Sequence, residues 1–448
     1  DTENDNIGIG YNALSGTIAG GEYNVAVGSN SLDALTSADS VVAIGYNAGT
    51  AVTTGGESVY IGYACGDANT EGVKNVGVGS HALGGVTTGD YNIGIGQGAL
   101  YSPDTENHNI AIGESSMSGS VAGGEYNVAI GNYTLDALTS ADYNVAVGYG
   151  AGGAVTTGVA NVFMGYEAGN AVTTGGYNIG IGMQTFNQAD AETNNLAIGY
   201  SSFSGAVNGG EYNVAVGNYT LDAVQTGDSN TAVGYAAGSG IVEGSHNTCI
   251  GESAGGSITD GEGNICIGQN SGNAGVSLTT GDNNILIGEK ISAGTATNDN
   301  QIVIGSEGTT GKGSNTGFIS PNGGALYQGD NDTVWTQTSD ERVKKNIIDY
   351  DKGLDEINKL KIRTFDYRRL NEMPLGKNDL PLEENEMPQN NQVGLIAQEM
   401  IDVFPNTIIE NPDNGRLSLQ SDEINWALIK AVQELSAQVT TLQQEINT

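Results

Sequence analysis

A short pattern recurs along about two thirds of the chain, and it limits the fold more than any other feature of the sequence. Asn, an apolar residue, a small residue, a second apolar residue and Gly follow one another in that order, or in a close variant, eighteen times. A fixed period of this kind predicts a repeat architecture in which each unit stacks on its neighbours. The closing glycines are 17 or 18 residues apart, with one step of 20, at positions 10, 28, 45, 62, 79, 96, 113, 131, 148, 165, 182, 199, 217, 234, 251, 268, 288 and 305.

Each repeat has the length of one coil of a β-solenoid. Such a unit is too short for a helix-turn-helix pair, and it suits two short strands with two turns. In Val145-Ala146-Val147 the valines share one face and the alanine takes the other, as strand geometry requires. Because one coil is too thin to bury its own apolar face, we expect a core shared with stacked coils and with neighbouring chains. Stacked at ~4.8 Å, the coils would span on the order of 85 Å.

The first and last residues of the pattern predict how coils join. Asn opens most copies, and stacked Asn side chains can hydrogen-bond from coil to coil and satisfy turn amides. The closing Gly permits the positive φ that a tight corner needs. The longer segment Gly-Glu-Tyr-Asn-Val-Ala-Val/Ile-Gly closes at Gly28, Gly131 and Gly217, six and then five coils apart, which indicates block duplication.

Charge divides the chain into two parts. Residues 339–448 hold 12 of the 15 Lys and Arg and 20 of the 52 Asp and Glu. Residues 1–338 therefore carry a net charge of −29. A shaft this acidic repels nucleic acid and anionic membrane surfaces, which excludes nucleic-acid binding. The sequence has no apolar run of 18 residues, so we expect no membrane insertion.

The repeat resembles a known family. Asn-Val-Ala-Val-Gly and Asn-Ile-Gly-Ile-Gly are similar to the repeats in the heads of trimeric autotransporter adhesins, over residues 4–305. The resemblance implies a left-handed parallel β-roll in which three chains wind about one axis, although the spacing here is somewhat longer than in that family. We therefore expect a mainly β protein whose homotrimeric solenoid shaft spans residues 1–310.

After Gly305 the character of the sequence changes. Residues 311–338 form a Gly-rich stretch that we interpret as a linker. Residues 339–415 predict a small α+β domain, with a weakly amphipathic segment from Asp340 to Leu360 and a strand near Thr364. In residues 416–448, Val432, Val439 and Ile446 alternate with Leu428, Leu435 and Leu442 as heptad positions a and d. This pattern predicts an oligomerising helix, although β-branched a with Leu d nominally favours two strands.

The C-terminal part also resembles a family. Ser339 to Ile347, Thr364 to Tyr367, and Gly394 to Glu399 followed by Phe404-Pro405 are similar to the endosialidase-type intramolecular chaperone. That domain ends many phage tail spikes and fibres. The resemblance implies that it folds the preceding β-structured stalk as a trimer and then releases itself through a Ser-Lys dyad.

Two residues match the dyad of that family. Ser339 matches the nucleophile and Lys344 the base, so the resemblance implies self-cleavage between Thr338 and Ser339. A lysine accepts the proton only when desolvation or nearby cations lower its pKa, and Arg342 and Lys345 are close in sequence. Local sequence also fits a second interpretation, because Thr338 or Ser339 before Asp340 and Glu341 makes a good helix N-cap.

Tyrosines that follow the closing glycine predict a second kind of site. Tyr46 with Tyr63, and Tyr149 with Tyr166, fall on successive coils and would form ladders of exposed rings. Such ladders can stack on the sugars of a receptor glycan, or they can simply pack along the solenoid surface.

The remaining reactive residues support no cofactor or metal chemistry. Cys249 and Cys266 occupy equivalent places in adjacent coils, about 5 Å apart, where they are either a potential disulfide or small interior residues. The three histidines, His81, His108 and His246, are scattered over the shaft. We expect no cofactor and no turnover of an external substrate.

The sequence thus predicts a structural and adhesive fibre of a virion or phage-like particle, located on the particle as an extracellular appendage. Its expected partners are two further copies of the chain, a host-surface receptor for which a glycan is one candidate, and other particle proteins at the N-terminal end. Alternatives are a cell-surface trimeric adhesin, a fibre of a contractile injection system, and an autoprocessing enzyme.

Overall fold

The computed structural model describes residues 5–102, 105–119, 123–206, 208–305, 307–320, 326–328, 346–366, 392–410 and 417–447. Its contacts divide the chain into two units, Asp1–Thr338 and Ser339–Thr448. The first unit is a long parallel β-solenoid and the second is small, with short strands and a long C-terminal helix. The predicted fold class, a mainly β chain with a solenoid followed by a small domain and a helix, is confirmed.

Each of the eighteen repeats forms one coil with one short strand, and we number the coils by these strands. A second strand in each coil was expected, but the remaining residues form turns and bends. The strands are β1 Ile7–Ile9, β2 Val25–Val27, β3 Val42–Ile44, β4 Val59–Ile61, β5 Val76–Val78, β6 Ile93–Ile95, β7 Ile110–Ile112, β8 Val128–Ile130, β9 Val145–Val147, β10 Val162–Met164, β11 Ile179–Ile181, β12 Leu196–Ile198, β13 Val214–Val216, β14 Thr231–Val233, β15 Thr248–Ile250, β16 Ile265–Ile267, β17 Ile285–Ile287 and β18 Ile302–Gly305.

Every strand pairs in parallel with the strand of the next coil, residue on residue. Val145 pairs with Val162 and Val162 with Ile179, for example, so equivalent side chains stack in columns. The sheet continues into the stretch predicted to be a linker, because β19, Gly317–Ser320, pairs in parallel with β18. Strand β20, Leu326–Gln328, then pairs antiparallel with β19.

The solenoid has an apolar interior within a single chain. The middle residue of each strand points inward, and Ala26, Ala43 and Ala146 are fully buried. Leu, Val and Phe side chains from the turns fill the rest of the column, with Phe186 between Phe163 and Phe203. The expectation that a coil needs neighbouring chains to bury its apolar residues is therefore wrong for the inward face, because the turns supply the missing volume.

Interior asparagines join the coils as the sequence predicted. The side-chain oxygen of Asn144 accepts the backbone N–H of Asn161 at 2.9 Å, and Asn161 does the same for Asn178 at 2.9 Å. The amide nitrogen of Asn161 also donates to the carbonyl of Gly175 at 2.8 Å. These buried side chains therefore satisfy turn groups that the strands leave unpaired.

The closing glycines lie where a side chain has no room. Gly148 has φ 136°, and a Cβ added there would approach the carbonyl oxygen of Gly165 to 2.3 Å. The same contact recurs from coil to coil, which explains why the pattern ends in Gly.

The second unit contains short elements and one long helix. They are α1 Leu354–Ile357, β21 Arg363–Phe365, β22 Gln392–Gly394, α2 Ala397–Met400, a 3₁₀ turn Pro405–Thr407, β23 Ile408–Glu410, β24 Leu417–Leu419 and α3 Asp422–Ile446. Strands β21 and β22 pair antiparallel, as do β23 and β24. Met400, Phe404 and Ala427 form the centre of a small core in this unit.

Candidate functional site

The outer face of the solenoid strands carries a continuous apolar surface. The first and third residues of β1–β18 point outward, and we call them the outward stripe. These residues are Ile, Val, Leu or Met in every coil except for Thr231 and Thr248. Third-position side chains such as Ile44, Met164 and Ile250 are 39–42% exposed. A soluble chain rarely leaves so long an apolar surface open to water, so the outward stripe is a candidate interaction surface.

The predicted tyrosine pairs are stacked in the structure. The ring centroids of Tyr46 and Tyr63 are 5.4 Å apart with an angle of 14° between the planes. Tyr149 and Tyr166 are 5.5 Å apart at 10°. All four rings are about half exposed, and a hydrogen bond to Glu167 raises the pKa of Tyr166. Stacking covers one face of each ring, so a sugar would meet the outer faces and the edges. Glycan contact by these residues stays a prediction.

A second aromatic ladder was missed in the sequence. Tyr91, His108, Tyr126 and Tyr143 stack on successive coils, with centroid separations of 4.9, 4.8 and 5.3 Å. The ammonium group of Lys74 lies 5.0 Å from the Tyr91 ring centroid at one end of this stack. These residues directly precede the pattern's Asn, whereas the sequence search followed the residue after Gly. The recurring Tyr-Asn dipeptide was the signal that could have found them.

The predicted catalytic pair lies outside the described residues. Neither Ser339 nor Lys344, nor the bond between Thr338 and Ser339, is among the residues that the structure describes. The self-cleavage chemistry and the alternative helix cap therefore both stay predictions.

The described part of the second unit holds a polar network against its core. The Glu423 carboxylate accepts the hydroxyl of Tyr350 at 3.0 Å and the ammonium of Lys352 at 3.2 Å. Lys352 also donates to the carbonyl of Val403 and lies 4.8 Å from the ring centroid of Phe404. Burial and then the bond to Glu423 raise the pKa of Tyr350. The network connects the segment before α1 to the start of α3.

Two further contacts hold this unit together. Arg363 on β21 forms a bidentate ion pair with Glu399 on α2, at 3.0 and 2.6 Å, and the hydrogen bond to Arg363 lowers the pKa of Glu399. The Glu434 carboxylate of α3 accepts the backbone N–H of Leu354 at 2.8 Å, at the first residue of α1. These contacts attach helix α3 to the described part of its unit.

A neighbouring stripe of α3 is apolar and exposed. The predicted heptad residues lie on this helix, and Val432, Leu435, Val439 and Leu442 are 46–60% exposed. Buried Ala427 and Ala431 face the unit's own core instead. An exposed stripe of this spacing is the seam of a coiled coil, so α3 offers a second candidate interaction surface.

The remaining reactive residues do not form a site among the described residues. Cys249 pairs in register with Cys266, and both are buried free thiols, as the interior interpretation predicted. In the ranges that the structure describes, no group of His, Cys, Asp and Glu has the geometry of a metal site. None of the described helices is both long and apolar enough to span a bilayer.

The comparison with known families bears on the second unit. Residues 339–409 match the family model described as the chaperone of endosialidase. This is the resemblance that the C-terminal motifs predicted, and it is confirmed. A long β-solenoid followed by a chaperone-of-endosialidase domain fits a protein of the tail-fibre or tail-spike type. No curated protein is significantly similar to the chain.

Proposed function

We propose that the chain is one subunit of a homotrimeric fibre, of the tail-fibre or tail-spike type, that attaches a virion or phage-like particle to a host surface. The observation that carries this proposal is the outward stripe, an apolar surface that runs along all eighteen coils and stays partly or largely exposed among the described residues. Two further copies would bury it around a common axis. The chaperone-of-endosialidase match at 339–409 supports three as the number of chains.

The outward stripe is large enough that its burial by other copies would contribute strongly to the stability of the assembly. Ten of its third-position residues are at least 36% exposed, from Ile9 to Ile304. Burying apolar surface stabilises an assembly by roughly 25 cal/mol per Å². The contribution repeats in every coil, so the assembled shaft gains stability in proportion to its length.

The C-terminal unit then supplies alignment. A β-solenoid forms by contacts between successive coils, and identical coils allow pairing in a wrong register. Three copies of α3 joined through Leu435 and its heptad neighbours would align equivalent coils of the three chains along the axis before the shaft assembles. This role predicts that a chain lacking residues 339–448 yields monomeric or insoluble product. Soluble, protease-resistant trimers from that truncation would contradict it.

The trimer is tested by matched charge substitutions. Ile181 lies in the outward stripe and is 38% exposed, whereas Thr174 is exposed on a turn away from it. Ile181→Glu would place a carboxylate in the buried axis of a trimer, so we expect dissociation or failure to assemble in sedimentation velocity. Thr174→Glu adds the same charge and should sediment like the wild type, at about three times the 45.8 kDa chain mass if uncleaved. An elongated, well-folded wild-type monomer would refute the proposal.

Self-cleavage is a separate part of the proposal. In it Ser339 is the nucleophile, Lys344 is the base, and the bond between Thr338 and Ser339 is cut once, after the trimer has folded. On a denaturing gel, wild type would split into two fragments while Ser339→Ala and Lys344→Ala remain full length. Identical migration of all three would rule out cleavage and leave the assembly role standing.

Host attachment rests on the exposed tyrosines. We propose Tyr46, Tyr63, Tyr149 and Tyr166 as contacts for a receptor glycan, with other particle proteins bound at the N-terminal end. A cell-surface trimeric adhesin and a fibre of a contractile injection system share the same shaft, and imaging of the native particle separates these settings. Loss of glycan binding in a Tyr149→Ser, Tyr166→Ser double variant that remains trimeric would support the contact, and unchanged binding would oppose it.

A further inference from the structure

Two ladders of side chains flank the outward stripe, one on each side. The leading ladder contains the residue two positions before each strand, such as Tyr143 before β9, and the trailing ladder contains the residue two positions after it, such as Tyr149. Tyr143 and Tyr149 are 61% and 48% exposed, whereas Asn144 and Ala146 are buried. Each coil therefore presents a row of four outward residues, with the apolar pair in the middle.

In most coils the two flanking positions together hold one aromatic ring. In coils 1 to 15, thirteen carry a single aromatic ring in these two positions, and the opposite position is then filled by a residue without a ring. Coil 9 has a ring on both sides and coil 5 has none. From coil 1 to coil 15 the leading and trailing residues are Asp5/Tyr11, Tyr23/Ser29, Ser40/Tyr46, Glu57/Tyr63, Lys74/Ser80, Tyr91/Gln97, His108/Glu114, Tyr126/Asn132, Tyr143/Tyr149, Ala160/Tyr166, Tyr177/Met183, Asn194/Tyr200, Tyr212/Asn218, Ser229/Tyr235 and His246/Glu252.

The duplicated blocks show that the two positions change together. Coils 1, 7 and 12 each precede one of the three copies of the Gly-Glu-Tyr-Asn segment, so they are equivalent coils. Their ring lies on the trailing side in coil 1, on the leading side in coil 7 and on the trailing side again in coil 12. In each case a residue without a ring, Asp5, Glu114 or Asn194, takes the other side. The ring has changed sides while the summed size of the pair has stayed similar.

Contact within one chain does not explain this coupling. Tyr143 and Tyr149 lie on opposite sides of a three-residue strand and do not stack on each other. Tyr143 contacts the ring of Tyr126, and Tyr149 contacts the rings of Tyr133 and Tyr166. The leading rings also remain open, with Tyr143, Tyr177 and Tyr212 60–62% exposed. The space that a large ring and a small partner share must therefore lie outside the single chain.

Rotation about an axis parallel to the shaft creates such a shared space. When copies face that axis with their outward stripes, the leading side of one copy lies against the trailing side of the next. Without any shift along the axis, the residues that meet belong to the same coil number. An antiparallel pair or a shifted stack would instead match residues of different coils, and the same-coil complementarity would serve no purpose.

We infer that the leading and trailing ladders meet across the seams of a parallel, unshifted trimer, so that in most coils the aromatic ring lies against the non-aromatic residue of the same coil in the neighbouring copy. The inference rests on the proposed trimer and deepens it, because it fixes the axial register and names the residues in contact. At coil 10, Tyr166 of one copy lies against Ala160 of the next. For the trailing tyrosines this seam and the glycan contact proposed above are alternatives, so a same-coil crosslink would support the seam and oppose the glycan contact. The rings thus act as a size code that rejects chains displaced by one coil.

Paired cysteines test the register directly. A chain with Ala160→Cys and Tyr166→Cys should form covalent trimers under oxidised glutathione, because the two thiols of neighbouring copies then lie at one level. A chain with Ala160→Cys and Met183→Cys places the second thiol one coil away, about 4.8 Å along the axis. We expect at least about tenfold less covalent trimer from this offset pair, since a disulfide tolerates little extra separation. Either single variant should give no trimer ladder on a non-reducing denaturing gel.

The outcomes separate the inference from the proposed function. If the reduced double variants sediment as monomers while the wild type is a trimer, the compensating exchange Ala160→Tyr with Tyr166→Ala replaces them, and it should keep the trimer and its melting temperature. A wild-type monomer overturns the trimer itself. A trimer in which the offset pair crosslinks as well as the same-coil pair, or in which neither does, overturns the seam register alone.

Discussion

The Asn144 side chain accepts a hydrogen bond from the backbone N–H of Asn161 at 2.9 Å, across the boundary between two coils. The same oxygen also accepts from the Asn161 side-chain amide at 3.1 Å. The link is repeated upward and downward through buried asparagines and is interrupted at coil 3, where Val41 replaces Asn. At coil 4 the hydroxyl of Ser58 takes the place of the amide and accepts the backbone N–H of Asn75 at 3.1 Å. One buried residue per coil is thus hydrogen-bonded to its counterparts in the coils on both sides.

Replacing one of these asparagines should destabilise the shaft locally. In Asn161→Ala the N–H of Asn178 and the carbonyl of Gly175 lose their buried partners, which costs about 2 kcal/mol. Denaturant unfolding would measure the loss, and hydrogen exchange would place it in coils 9 to 11. Thr174→Ala is the control, because Thr174 is exposed, and it should change stability by less than about 0.5 kcal/mol. Equal effects of the two would contradict a structural role for the buried ladder.

Tyr60 is a different case, because the interior holds a phenol where most coils have Ala or Gly. It is fully buried, its hydroxyl makes no hydrogen bond of normal geometry, and burial raises its pKa to about 12. Because the folded-state pKa lies above the ordinary value near 10, stability is retained below pH 10 and falls as the pH rises toward 12, by about 3 kcal/mol. Tyr60→Phe should remove that alkaline loss and stabilise the shaft at neutral pH as well.

Equilibrium unfolding at pH 8 and at pH 11 checks this pair of effects. Tyr63→Phe is the control, since Tyr63 is 54% exposed in the neighbouring outward position. If wild type and Tyr60→Phe lose the same free energy of unfolding between the two pH values, the buried hydroxyl is not the cause of the loss of stability at alkaline pH.

The coil that contains Tyr60 holds a second buried polar side chain without a hydrogen-bond partner. Asn69 is fully buried, and neither its side-chain oxygen nor its nitrogen has a hydrogen-bond partner. Val52 and Val86 occupy the equivalent place in the adjacent coils. Asn69→Val should therefore raise the free energy of unfolding by about 1–3 kcal/mol, because it removes the cost of burying an unpaired amide. Val86→Asn, the reverse change, should lower it, and a stabilising Val86→Asn would contradict the explanation.

The shaft could be predicted because its determinants are local and repeated. Val145-Ala146-Val147 shows the strand period within three residues, and the fixed spacing to Val162 gives the register of pairing. The second strand expected in each coil is absent for an equally local reason. Thr53 donates its backbone N–H to the carbonyl of Thr70 in the next coil. Both residues lie in turns that end at a glycine, so the hydrogen bonds do not continue into a second β-strand.

The contacts of the second unit could not be predicted in the same way. Tyr350 and Glu423 are 73 positions apart, and no period in the sequence relates them. Arg363 and Glu399 are likewise brought together by the pairing of β21 with β22, which joins distant segments. For Ser339 and Lys344, motif resemblance is the whole basis of the assignment, because both lie outside the described residues.

The exposed apolar side of α3 gives the last prediction. Leu435 is a heptad d residue and is 49% exposed, while Ala437 lies two residues further on, exposed and off the heptad seam. If three α3 helices meet through the seam, Leu435→Glu buries three carboxylates together and should abolish assembly of the full-length chain. Ala437→Glu adds the same charge to the same helix and should leave assembly unchanged. Sedimentation of freshly folded protein distinguishes the two, and a trimeric Leu435→Glu variant would mean that the outward stripe aligns the chains without help from α3.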